Sequence, residues 1–160
     1  PKEAAEIAYR YLADNHVPCL LYQGRYNLFN RELEEEGILD QASKHGSGFV
    51  AFSPLAQGLL TGRYLDGIPE DSRIARGGHL KKEALTEDVL RKIRDLNEIA
   101  ARRGQTLAEM SLAWLLKDEK VTSVIIGASS VKQIDDNLKS LDNTSFCDEE
   151  ICLINNVLSR

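Results

Sequence analysis

Three short apolar runs punctuate this chain, Cys19-Leu20-Leu21-Tyr22, Phe49-Val50-Ala51-Phe52 and Val121 to Ile126. Each is bounded by turn residues, as expected of strands buried on both faces of a parallel sheet. Between them apolar residues recur at helical spacing. Residues 2–14 read as a helix with Ile7, Ala8, Tyr11 and Leu12 on its inner face, ended by Asn15-His16 with Pro18 just beyond. Residues 31–45 read as a second helix, facing inward through Leu33, Ile38, Leu39 and Ala42, with a solvated acidic run at Glu34–Glu36. Gln23 to Asn30 is expected to be a loop at the carboxyl end of the first strand, and His45-Gly46-Ser47-Gly48 a turn.

Ser53-Pro54 ends the second run, because proline donates nothing to a ladder. Gly58 and Gly62 then let the backbone turn closely over the strand end. Residues 63–83 are irregular, with turn chemistry at Leu65-Asp66-Gly67-Ile68-Pro69 and a basic series, Arg73, Arg76, His79, Lys81 and Lys82. Thr86 is the expected N-cap of a helix reaching Arg103 and stopping at Gly104. Thr106 with Glu109 forms a capping box for a helix over 107–117, whose Met110, Ala113, Trp114 and Leu116 are core. After the third strand, Gly127 turns the chain and Ser130 opens a helix over 131–141. A last helix begins near Asp148 and points Ile151, Ile154 and Leu158 inward.

The resulting order, α-β-α-β-loop-α-α-β-α-α, predicts an α/β fold with a parallel sheet and right-handed crossovers. Ligands in such folds bind beyond the carboxyl ends of the strands. Three strands fall short of a closed (β/α)8 TIM barrel, which takes about 250 residues. They would also leave two unpaired edges. The pattern therefore predicts the C-terminal part of a larger barrel, about three β/α units plus terminal helices, with residues 1–160 as one partial barrel domain.

Composition narrows the function classes. The 160 residues are 42% hydrophobic and 28% charged, an ordinary globular balance. A net charge of −5 argues against a nucleic-acid binder. No apolar run is long enough to span a membrane, and the charged start does not read as a signal peptide. Three cysteines without a C-x-x-C pair suggest buried thiols in a reducing compartment, with the cytoplasm as default. His16, His45 and His79 show no metal spacing, so no metal site is expected and these are read as structural or exposed.

Three motifs, in register along the chain, resemble the C-terminal half of the aldo-keto reductases. They are Gln23-x-x-Tyr26-Asn27-Leu28, then Phe52-Ser53-Pro54-Leu55-Ala56-x-Gly58-x-x-x-Gly62, then Gly127-Ala128-Ser129-x-x-x-Gln133-x-x-x-Asn137. The text from Leu60 to Arg73 is similar to the branch holding bacterial L-glyceraldehyde-3-phosphate reductases and voltage-gated potassium channel β subunits. The resemblance implies a (β/α)8 barrel that binds NADPH across its carboxyl face, with the strands here as the sixth, seventh and eighth. It also implies that the catalytic Asp, Tyr, Lys and His lie upstream of Pro1, so this chain carries no catalytic residue and is expected to reduce no aldehyde alone.

The same resemblance distributes cofactor contacts over the motifs. Gln23 matches the residue that hydrogen-bonds the nicotinamide carboxamide, and Phe52 the aromatic plate beneath the nicotinamide. The backbone of Ser53, Pro54, Leu55, Ala56 and Gln57 matches the loop that wraps the pyrophosphate, with Leu55 packing on the cofactor and Gly58 among the cofactor-binding positions of the same motif. Arg63 and Arg73 match basic positions near the phosphates. Gly127, Ser129, Gln133, Asp136 and Asn137 match contacts to the 2′-phosphate and adenine. Plain residue chemistry leaves alternatives open: Phe52 as core, Gln23 as a solvated strand end, and Ser130-x-x-Gln133 as a helix cap competing for the Gln133 side chain. Implied partners are a small carbonyl substrate and an N-terminal half of the barrel, and a homo-oligomer stays open. Two other roles remain, a redox-sensing accessory subunit like the channel β proteins and a truncated interaction module.

Overall fold

The computed structural model describes residues 2–70, 72, 74, 75, 77 and 80–159. Helix α1 (Lys2–Asp14) precedes strand β1 (Leu21–Arg25), and helices α2 (Glu32–Glu35) and α3 (Ile38–Lys44) lead to β2 (Gly48–Phe52). A 3-10 turn (Ala56–Thr61) and a second one (Lys82–Ala84) lie on the way to α4 (Glu87–Arg102) and α5 (Leu107–Leu116). Strand β3 (Val121–Ile125), α6 (Val131–Leu138), a 3-10 turn (Lys139–Asp142) and α7 (Asp148–Leu158) complete the order. Among the described residues the strands form one parallel sheet in the order β1-β2-β3. The element order read from patterning holds, apart from one helix that divides in two.

The chain falls into two units, one of residues up to Pro54 together with Leu115–Gly127, the other of Leu55–Trp114 together with the residues from Ala128 onward. The first contains the sheet. Its core includes Tyr26, Leu28, Ile38, Leu39, Ala42, Phe49 and Ala51, all at 3% exposure or less. Successive strand residues point to opposite faces. Tyr22, Gly24, Phe49, Ala51 and Val124 fall on the covered face, and Gly24 leaves room for Leu33: a Cβ there would meet Leu33 Cδ1 at 2.2 Å. The second unit centres on α4, α5 and α7, with Ile93, Leu96, Met110, Trp114 and Ile154 inaccessible or nearly so.

Local chemistry set most boundaries. Val89 N–H donates to Thr86 Oγ1 (3.2 Å), so Thr86 caps α4, and Gly104 adopts φ 69° past its end. Thr106 and Glu109 exchange both capping-box bonds, at 2.7 and 3.2 Å. At the end of α4 the Arg103 guanidinium pairs with Glu150 (2.6 Å), lies 3.6 Å over the Phe146 ring, and donates to Ser145 O.

Several expectations need correction. The first strand is Leu21–Arg25, not Cys19–Tyr22, because pairing with Gly48–Phe52 decides its extent. Gln23 is therefore mid-strand and not in a loop. Helix 31–45 breaks at Gly37, which takes φ 76°. Glu34 is half-buried and paired, not freely solvated: Tyr26 Oη donates to it (3.0 Å) and Arg31 forks onto both of its oxygens. In α1 the buried positions are Ala5 and Tyr9, whereas Ile7 and Tyr11 stay 68% exposed. Tyr9 turns inward because it stacks on His45, rings 4.4 Å apart and nearly coplanar. Helix α6 ends at Leu138, three residues early, and tightens into a 3-10 turn. The thiols are not buried: Cys147 and Cys152 are exposed and Cys19 is half-buried.

Candidate functional site

The predicted residues divide between the two units. In the first, Arg25, Phe52 and Ile125 pair across the sheet at its carboxyl edge, and Gln23, Val50 and Ser123 form the row below. These two rows share the face opposite Phe49 and Ala51. That face is open: Phe52 is 36% and Ile125 47% exposed, while Phe49 is fully buried. Among the described residues nothing covers Phe52, and Gln23 presents its carboxamide to the same open face two residues before the strand end. An exposed aromatic flat beside a carboxamide can stack on one planar ring and hydrogen-bond its polar substituent. Gly127 follows the end of β3 and is exposed.

Beyond Phe52 the backbone is unusual. Ser53, Ala56 and Gln57 all sit in the left-handed region, at φ 53°, 46° and 59°, a conformation uncommon outside glycine. Pro54 is buried and Ser53 half-buried. In the second unit, Ala56 is buried, Leu55, Gln57 and Gly58 are half-buried, and Gly58 takes φ 104°. Thr61 Oγ1 donates to Gly58 O (2.7 Å) and Gly58 N–H to Leu55 O (2.8 Å), so the segment closes on itself. Arg63 is exposed. Arg73, Arg76 and His79 lie outside the described residues.

Ser130 caps α6 by accepting from Gln133 N–H (3.3 Å). Gln133 Oε1 accepts from both Ser129 N–H (2.8 Å) and Ser129 Oγ (3.2 Å). Capping is therefore what Gln133 does here, one residue beyond the pattern expected, and contact with adenine requires its release. Asp136 is held by Lys132 (2.5 Å) and Lys139 (2.8 Å), which keep its carboxyl below the ordinary range through hydrogen bonds and charge. The two lysines were not singled out in the sequence, although their i, i+4 and i, i+3 offsets from Asp136 signal the pairing. They gather toward the far end of α6, where Asp135 also acts on Lys139, so of the two only Lys132 lies in the first turn beside the Ser129–Gln133 cap. Asn137 is half-buried on the same helix.

One residue of the first motif is given no role by the sequence. Asn27 is 1% exposed, and its amide donates to Ser53 O (2.9 Å) while Oδ1 accepts from Phe29 and Asn30 N–H, each at 3.0 Å. Tyr26 N–H reaches Phe52 O (3.4 Å). Only the distant pairing of β1 with β2 brings these groups together.

Parallel strands linked through helices define an α/β protein built of β/α units. The chain belongs to the aldo/keto reductase family, whose model matches residues 2–159. It is 51% identical over 142 residues to an L-glyceraldehyde 3-phosphate reductase of Escherichia coli O157:H7, a match covering 86% of this chain and 41% of that protein. It is 42% identical over 129 residues to a probable voltage-gated potassium channel subunit beta of Arabidopsis thaliana, covering 79% of this chain and 39% of that protein. Among solved structures, a thermostable aldo-keto reductase in complex with the inhibitor epalrestat matches with a TM-score of 0.64 and 25% identity, over 91% of this chain and 42% of that one. The chain thus spans less than half the length of these relatives. Among the described residues no helix is long and apolar enough to cross a membrane.

Proposed function

We propose that this chain is the cofactor-holding part of a cytoplasmic, NADPH-dependent carbonyl reductase, in which it forms the last three β/α units of a (β/α)8 barrel. The observation that carries the reading is the open sheet face, where Phe52 lies at the carboxyl edge and Gln23 in the row below. An aromatic plate and a carboxamide on one open face fit the nicotinamide end of the cofactor. In the second unit, the Ser129–Gln133 cap at the start of α6, with Lys132 in its first turn, suits an anionic group such as a 2′-phosphate.

When bound, NADPH supplies a hydride to a small aldehyde or ketone. Phe52 covers one ring face and leaves the other to the substrate. Gln23 fixes the carboxamide, and so the ring's rotation. The backbone from Ser53 to Gln57 wraps the pyrophosphate, and Arg63 and Arg73 match the basic positions that the family has near the phosphates. The proton comes from a tyrosine upstream of residue 1, part of the family's catalytic set. The apolar residues left open on the sheet, Leu21 and Ile125, and on α1, Ile7 and Tyr11, then pack against the N-terminal half of the barrel.

The test is NADPH oxidation with short aldehydes by the protein from the longest natural reading frame that encodes this chain, beside the 160 residues alone. Turnover by the former and none by the latter supports the reading, and turnover by the 160 residues alone contradicts the placement of the catalytic groups. A second reading, a redox-sensing accessory subunit, is favoured by the 42% identity to the channel subunit. It predicts nucleotide binding with turnover that stays slow for every carbonyl tried.

A further inference from the structure

From the three hydrogen bonds of its buried side chain, we infer that Asn27 is a positioning residue for the nicotinamide end of the cofactor, acting through the carbonyl of Ser53. The inference rests on the NADPH reading above.

Asn27 lies two residues past β1, and Ser53 one residue past β2. The Asn27 carboxamide accepts from Phe29 and Asn30 N–H, and the Asn27 and Asn30 backbones bond each other in both directions at 3.1 and 3.0 Å. Its acceptor oxygen is thereby fixed by its own turn, which aims the amide nitrogen outward at one place, Ser53 O, at 2.9 Å. Ser53 needs that hold. Its φ of 53° is unfavourable for a residue with a side chain, and such conformations persist where neighbours over-determine them. Tyr26 N–H on Phe52 O adds a second, longer tie. The two ties hold the peptide groups on both sides of Ser53, and with them the direction of the Phe52 ring and of the loop's first N–H groups.

The turn is itself anchored. Tyr26 is 1% exposed and donates to Glu34, which Arg31 holds from its other side. Burial pushes the Tyr26 phenol well above its ordinary range and Glu34 adds to the effect, so it stays a donor. Asn27 therefore sits between a rigid base and the one strained peptide next to the proposed plate. Aspartate at this position keeps the acceptor for the turn but turns an oxygen toward Ser53 O, and the tie is lost.

The experiment compares two ligands on the full-length protein: NADPH, which carries the nicotinamide, and 2′,5′-ADP, which lacks the nicotinamide and pyrophosphate. For Asn27→Asp the expected result is NADPH affinity lower by about tenfold, the scale of one lost hydrogen bond and an unpaired carbonyl. Binding of 2′,5′-ADP stays within about twofold, since its contacts do not involve the tie. Asn27→Ser, too short to reach Ser53, gives the same split by a neutral change. Equal losses for both ligands, failure of both variants to fold, or unchanged NADPH binding each overturn the positioning role. A wild-type protein that binds 2′,5′-ADP but not NADPH, or neither, overturns the nucleotide reading itself and this inference with it.

Discussion

Phe49 and Phe52 stand three residues apart on one strand and do opposite work. Phe49 is fully buried on the covered face, stacked on Tyr22 and edge-on to Tyr26. Phe52 is more than a third exposed at the carboxyl edge of the open face, in register with Arg25 and Ile125. Residue type alone does not separate them; strand parity does. The covered face is packing, with glycine and alanine where neighbours press close. The open face mixes apolar with polar and charged groups, as a surface that meets a ligand or a further piece of barrel must.

The sharpest break of the comparison is a pair of alanine substitutions. Phe49→Ala should cost about 3–5 kcal/mol, the range for emptying a buried aromatic site, measured by denaturant unfolding. It should weaken NADPH only in proportion to the unfolded fraction. Phe52→Ala should cost about 1 kcal/mol or less in stability, yet weaken NADPH by about fivefold to tenfold, since ring stacking is worth about 1 kcal/mol. Equal effects on both quantities from both substitutions would erase the distinction between the faces.

Gly24→Ala probes the covered face from β1. Its new methyl would lie 2.2 Å from Leu33 Cδ1 and 3.1 Å from the Phe49 ring. Overpacking of this kind costs about 1–3 kcal/mol, and the melting temperature should fall with no change in nucleotide selectivity. Unchanged stability would show that Leu33 moves aside freely.

The smallest effect concerns pH. Burial tends to raise the Glu34 pKa, but the hydrogen bond and charge of Arg31, with the Tyr26 hydroxyl, more than offset it and hold the pKa below its ordinary 4.5. A carboxylate depressed in the folded state stabilises fully above its unfolded pKa and loses that contribution as pH falls through the folded value. Stability should therefore drop below about pH 4.5, and Glu34→Gln should flatten that acid limb in unfolding measured as a function of pH. An identical acid limb would remove Glu34 from the account.

How much of this was written in the sequence follows from the range of each interaction. Thr86, Gly104 and the Thr106–Glu109 box were legible because a cap is settled within four residues. The strand order was legible from apolar runs alternating with helical spacing. The open and covered faces were not, since a four-residue apolar run looks the same whichever side is filled. Gln23 was misplaced into a loop because its strand extends only through pairing with residues about twenty-five positions later. The role of Asn27, a member of the first motif, was illegible for the same reason: its partner is Ser53, and a Tyr-Asn pair after a strand reads locally as a turn. The left-handed backbone at Ser53, Ala56 and Gln57 has no local signal, because glycine marks such positions and these are not glycine.

The claim under all of this is that the open face at the end of β2 receives the nicotinamide ring. Selective labelling of the phenylalanine rings in the full-length protein, followed by measurement of intermolecular NOEs from bound NADP+, addresses it directly. The account predicts NOEs between nicotinamide protons and the Phe52 ring and none to Phe49. Saturable binding with no NOE at Phe52 would contradict it.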